Sequence, residues 1–212
     1  MQRRAALKNI GLSLGAITMS STLVALVQSC SQEKTLSWKP VFFSPEEVEI
    51  VSKTLEAMIP VTPEVPGATD LNLTRFIDGY LDAIATEKEQ AAFKVGIAQY
   101  LSTTLGATGK KATTDLTETD IENRLAYYFK ADAAQKAKWN LEVAAAEKDD
   151  AQLPSLDATN SLVLKSLRKR GIEAFKVTEQ IGKHVLAYDP IPGIQIGCTA
   201  LQEATGGKAW SL

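Results

Sequence analysis

The sequence predicts an all-α protein: an irregular helical bundle with a long C-terminal helix, followed by an extended non-helical tail. Three observations carry that expectation. Apolar side chains recur three and four residues apart from Val48 to Val185, the spacing that puts them on one face of a helix. Helix-start signatures, a hydroxyl residue answered three positions later by a carboxylate, open two of these stretches. Clusters rich in Pro and Gly fall between the periodic segments, and no alternating strand pattern or internal repeat is present.

The first element is "SPEEVEIVSKTLEAMIP". Ser44 is its N-cap, Pro45 occupies the first helical position and Glu47 closes a capping box. Val48, Val51, Leu55 and Met58 form one apolar stripe, and Pro60 ends the helix because its ring cannot continue the hydrogen-bond ladder. The loop "VTPEVPGATDLN" follows, and it needs something packed over it to be ordered. Residues 73–105 read as one broken helix or two short ones, with Phe76, Ile77, Tyr80, Leu81 and Ile84 facing the core.

"LGATGKKATT" is a turn-rich break. Thr117 then caps a helix with Asp120 as the closing carboxylate, and the Ala-rich "ADAAQKAKWNLEVAAAE" is a strong helix former. The acidic loop "EKDDAQLPSLD" leads into the last helix, expected from Ala158 to Tyr188. Leu164, Leu167, Gly171, Ala174, Thr178, Ile181 and Val185 mark its inner face. Its outer face carries Lys165, Arg168, Lys169, Arg170 and Lys176, either a solvated surface or a docking patch. The tail, 189–212, has no helical period yet holds Ile191, Ile194, Ile196, Leu201 and Trp210, apolar area that needs cover.

The first 29 residues read differently from this body. Arg3, Arg4 and Lys8 precede eighteen uncharged residues, Ile10 to Val27, diluted by Gly, Ser and Thr. Position and flanks fit an export signal better than a membrane span. "RRAALK", with Arg3, Arg4, Leu7 and Lys8, resembles the twin-arginine motif, whose route carries folded cargo; an ordinary secretory signal is the alternative. "LVQSC" resembles a lipoprotein processing site, so Cys30 is expected to be acylated, with 30–43 as a tether and 44–212 as one helical domain. A disulfide between Cys30 and Cys198 is the competing assignment, since export permits it.

The 212-residue chain has a formal charge of −2. Without the three basic leader residues, 20 basic and 25 acidic side chains leave the body at −5, which argues against a nucleic-acid partner.

Catalytic signatures are scarce. His184 is the single histidine and has no obvious nucleophile to serve. The chain holds too few His and Cys for an ordinary transition-metal site, no Cys-x-x-Cys-His and no glycine-rich dinucleotide turn. Asp149 and Asp150 lack calcium-loop spacing. The body therefore reads as non-catalytic, with no cofactor of its own; an enzyme using acids and His184 is the least favoured reading.

Two stretches resemble a known family. "FFSPEEVEIVSKTLEAMIPVTPEVPGATDLNLTRFIDGYL" is similar to the opening of the gluconate 2-dehydrogenase subunit 3 family: apolar helix, Ile-Pro, Pro-Gly-Ala loop, then an "FID"-like helix. "EAFKVTEQIGKHVLAYDPIPG" and "GGKAWSL" resemble its C-terminal part, with Lys176 and Val177-Thr178 departing from the usual aromatic and Thr-Ser. The resemblance implies a helical small subunit of a membrane-associated, periplasmic sugar dehydrogenase.

In such complexes a larger subunit of the glucose–methanol–choline type carries FAD and oxidises a sugar or sugar acid. Its electrons pass to haem c in a cytochrome c partner. The small subunit, exported by the twin-arginine translocase, escorts and stabilises the flavoprotein. Pro66, Gly67, Tyr188, Pro190, Pro192, Gly193 and Trp210 are the expected partner contacts, because rigid irregular backbone there lies beside apolar residues. The alternative is that these segments fold back on their own helices. A free-standing periplasmic lipoprotein, acting as a binding or assembly module, is the second reading of the whole chain.

Overall fold

Three capping boxes close as the spacing requires. Ser44 with Glu47, Thr86 with Glu89 and Thr117 with Asp120 each exchange side-chain and backbone hydrogen bonds at a helix start. Asp132 and Ser155 cap two further helices by accepting from the backbone N–H groups of Gln135 and Ala158. In the computed structural model, residues 38–149, 152–191, 193 and 198–211 are described. Arg3, Arg4, Leu7, Lys8, Cys30, Asp150, Pro192, Ile194 and Ile196 lie outside them.

The helices in chain order are α1 (Pro45–Met58), α2 (Leu73–Ala83), α3 (Glu87–Thr108), α4 (Glu118–Phe129), α5 (Ala133–Lys148), α6 (Leu156–Val177) and a short α7 (Leu201–Thr205). All belong to one unit, Pro40–Leu212. Among the described residues there is no strand, only an isolated bridge between Ala187 and Trp210, so the architecture is all-α.

The bundle is built around α6, which packs against α1, α2, α3, α4 and α5. Ala158, Val163, Leu164, Leu167 and Ala174 are buried along it. Gly171 lets α1 come close: a Cβ there would sit 2.8 Å from Leu55 Cδ2. The helix ends at Val177, earlier than the apolar period suggests. Thr178 adopts extended backbone, and its hydroxyl and N–H both donate to the Phe175 carbonyl. A π-helical turn, Ile181–Val185, continues the apolar stripe and buries Ile181.

The stretch expected as one broken helix or two short ones is a short helix and a long one of 22 residues. Its inner face also differs. Leu73, Ile77 and Leu81 are buried, as are Thr74 and Asp78. Phe76 and Ile84, expected inside, are 50% and 67% exposed. The reason is rotational: the buried stripe of α2 runs through 73, 77 and 81 and admits Thr74 and Asp78 beside it, which turns Phe76 outward.

Asp78 explains that choice. Its side chain is 1% exposed and accepts three backbone N–H groups, from Val41 (2.8 Å), Phe42 (3.0 Å) and Phe43 (2.8 Å). Lys94 on α3 holds the same segment, donating to the Phe42 carbonyl (2.8 Å) and pairing with buried Glu47. Phe42, Phe43 and Phe93 pack edge-on and tilted around it. The end of the expected tether is thus part of the packed body.

A second polar cluster lies between α4 and α6. Buried Asn160 donates to the Tyr128 hydroxyl (2.9 Å) and to Thr103 Oγ1 (2.9 Å). Tyr128 accepts also from Arg124 (2.9 Å) and donates to Asp157 (3.0 Å), whose other oxygen accepts from Tyr127 (2.9 Å). Trp139 from α5 packs against both tyrosine rings.

The basic run on α6 is largely used within the protein. Lys165 donates to Asn140, Arg168 stacks over Phe129, and Arg170 lies 4.8 Å over the Tyr80 ring and 3.7 Å from Glu89. Lys169 makes only an exposed pair with Glu173, and Lys176 is exposed.

Two outcomes follow from these buried groups. Asp78→Asn keeps the shape but removes the charge that gathers three donors, so urea unfolding should show a loss of about 2–4 kcal/mol. A loss below about 1 kcal/mol would contradict the clasp. Burial pushes the Tyr128 phenol from 10.0 up to about 12. A raised folded value favours the folded state below the unfolded pKa, so stability should hold to pH 10.0 and fall as pH rises towards about 12. Alkaline unfolding curves test this: Tyr128→Phe should flatten the fall, and an unchanged curve would refute the assignment.

Candidate functional site

The expected partner contacts separate into two groups. Pro66 and Gly67 are tied down by α1. The Glu56 carboxylate accepts from the Thr69 N–H (2.8 Å), the Thr69 hydroxyl (2.6 Å) and the Val61 N–H (3.3 Å), and the Ala68 N–H donates to the Ile59 carbonyl. Gly67 is buried in this wrap, and a Cβ there would lie 2.5 Å from Glu56 Oε1 and 2.7 Å from the Val61 nitrogen. A glycine is required by that close approach. Pro66 is half-buried.

Tyr188, Pro190, Gly193 and Trp210 are exposed. The bridge brings two of them to one edge: the Ala187 N–H donates to the Ala209 carbonyl (2.9 Å) and the Ser211 N–H to the Ala187 carbonyl (2.8 Å). Trp210 is 52% exposed at this edge, and Ile191 is also exposed. The tail is not wholly extended, since α7 interrupts it and Gly206, at a φ of 63°, stops that helix.

Two apolar grooves open elsewhere. The larger, about 650 Å³, lies between α1, α4 and α6. Leu55, Met58, Ile59, Leu125, Phe129 and Ile172 line it, with Arg168, Lys130 and Glu122 also contributing. The smaller, about 480 Å³, lies on the outer side of α2 beside Phe76 and Ile84. The smaller is mostly apolar, with Arg75 its only charge, whereas the larger mixes apolar walls with three charged side chains.

Helices α1, α3, α4, α5 and α6 each have their own capping side chain at the start, whereas α2 begins at Asn72 without one. Among the described residues no cluster of His, Cys, Asp or Glu forms a metal site, and no helix is long and apolar enough to cross a membrane. His184 is exposed on the π-helical turn. Cys198 is exposed at a φ of 56° and forms no disulfide among the described residues; the proposed disulfide partner Cys30 lies outside them.

Sequence reasoning missed the outer face of α2 and the Asp78 clasp. For the first, hydropathy gave no signal, since Phe76 and Ile77 are both apolar and neighbours on a helix can share a buried face, as Leu73 and Thr74 do here. For Asp78 the only cue was an acid on the inner side of a stripe.

The family model for gluconate 2-dehydrogenase subunit 3 matches residues 45–193, from the first residue of α1 through α6 and the π-helical turn. No curated protein and no solved structure matches the chain. The match spans the helical body on which both grooves and the Tyr188 turn are displayed, and the chain belongs to the gluconate 2-dehydrogenase subunit 3 family, an accessory subunit of a dehydrogenase complex.

Proposed function

We propose that the chain is the non-catalytic small subunit of a periplasmic, FAD-dependent sugar or sugar-acid dehydrogenase. Its role is to carry the export signal for the flavoprotein subunit and to stabilise it. The observation that carries this reading is the family match over the whole helical body. The leader supports it, since Arg3, Arg4, Leu7 and Lys8 fit a route that exports folded cargo. In this reading the larger subunit holds FAD and performs the oxidation, and haem c of a cytochrome c partner receives the electrons. Cys30 carries the lipid anchor that keeps the complex at the membrane.

Exposed apolar area supports the docking role. Phe76, Ile84, Tyr188, Ile191 and Trp210 are large apolar side chains left to solvent in the isolated chain. Surfaces of that kind are usually covered by another protein. The physical division of labour is plain: this polypeptide offers an address and a rigid helical surface, while the redox chemistry sits in the partner.

Replacing Arg3 and Arg4 together by Lys tests the export role. Membrane fractions of the native host should lose sugar dehydrogenase activity, with the flavoprotein retained in the cytoplasm. Undiminished periplasmic activity would contradict the proposal, as would a full chain that purifies from the membrane colourless and alone.

A further inference from the structure

Helix α6 stops where its own residues do not require it to. No proline occurs between Leu156 and Pro190, and the apolar spacing of Ala174, Thr178, Ile181 and Val185 runs past the helix end at Val177. The chain nevertheless leaves the helix at Thr178, at a ψ of 141°, and resumes in the π-helical turn Ile181–Val185. There the Leu186 N–H donates to the Ile181 carbonyl (2.9 Å), one residue wider than an α-helical step. A free chain rarely adopts a π-helical turn, so contacts from outside the turn are expected to hold it.

Those contacts come from two places. Ile181 is fully buried in the bundle. On the other side lies the C-terminal end of the chain. Gly206 and Gly207, at φ values of 63° and 81°, turn the backbone after α7, and residues 209–211 come alongside Ala187. The Ala187 N–H donates to the Ala209 carbonyl (2.9 Å), and the Ala187 carbonyl accepts from the Ser211 N–H (2.8 Å). Both backbone groups of Ala187, two places beyond the π turn, are thus engaged by the C-terminus. The contact extends into the turn itself. Gly182 is buried although Lys183 and His184 are exposed, and a Cβ there would lie 2.9 Å from Ser211 Oγ.

We infer that residues 209–211 are a strap that holds the end of α6 in this form. Docked, the strap fixes 178–187 as a broken helix with a π-helical turn, and it keeps the exposed Tyr188 and Trp210 on one edge. Undocked, the turn opens with it, because the bonds to Ala187 and the cover over Gly182 leave together. The strap lies beyond residues 45–193 that the family model matches, so a segment outside the matched body shapes the last turn within it. It acts inside this chain alone, and its presence does not depend on the small-subunit reading.

Amide hydrogen exchange of the chain, read residue by residue by NMR, tests the strap. Leu186 is the diagnostic position, because its N–H bonds within the turn and not to the C-terminus. Two variants release the strap: a chain that ends at Lys208, and Ser211→Pro, which lacks the N–H that Ala187 accepts. Leu186 should exchange about tenfold faster or more in the truncated chain, and faster by a smaller factor with Ser211→Pro. Leu164 and Leu167, in the buried stretch of α6, should keep the parent rates.

Parent rates at Leu186 in either variant, with only Ala187 exchanging faster, would overturn the strap: the C-terminus would then rest on a turn that holds itself. A rise shared equally by Leu164 and Leu167 would overturn it as well, since the C-terminal residues would then support the whole bundle and not this turn.

Discussion

Packing one helix against five others through a single buried face is the constraint from which this fold follows. α6 touches each of the five other long helices, so its side chains must satisfy all of them at once. Where α1 crosses, Gly171 leaves room for the Leu55 side chain, whose Cδ2 would lie 2.8 Å from an added Cβ. Where α3 and α4 meet it, a polar residue is enclosed: Asn160 is buried and bonds outward to Thr103 and Tyr128. Both N–H groups of the buried amide are received by partners, while its Oδ1 accepts from no described group. Lys165, Arg168 and Arg170 find an acceptor or a ring on neighbouring helices, while Lys169 and Lys176 extend into water.

The same logic operates at the start of the body. A carboxylate enclosed at Asp78 would be costly without donors, and the three N–H groups of Val41, Phe42 and Phe43 supply them. Residues 41–43 are thereby fastened to α2 and, through Lys94, to α3.

Much of the helical framework was legible in the residues. Ser44 with Glu47 and Thr117 with Asp120 marked helix starts that the structure reproduces, because a capping box is a local device that depends on nothing distant. The rotation of α2 was not legible. Phe76 and Ile84 have every right to a core on hydropathy alone, and only the distant demand of Asp78 for the 41–43 backbone shows which side is inward. The end of α6 was missed for a related reason: the apolar period runs on to Val185, but it runs on in a π-helical turn after the break at Thr178. Of the expected contact residues, Gly67 was readable as special yet not as buried, since its neighbour Glu56 is eleven positions away.

The fold and its surfaces fit a polypeptide that works by being held against another. Exposed aromatic and aliphatic side chains sit on α2 and at the Ala187–Trp210 edge. The most direct measurement is the visible absorption of each chain after the native complex is dissociated and its subunits separated. The account predicts that flavin colour stays entirely with the larger subunit; flavin, haem or a metal centre retained by the isolated small chain would contradict it.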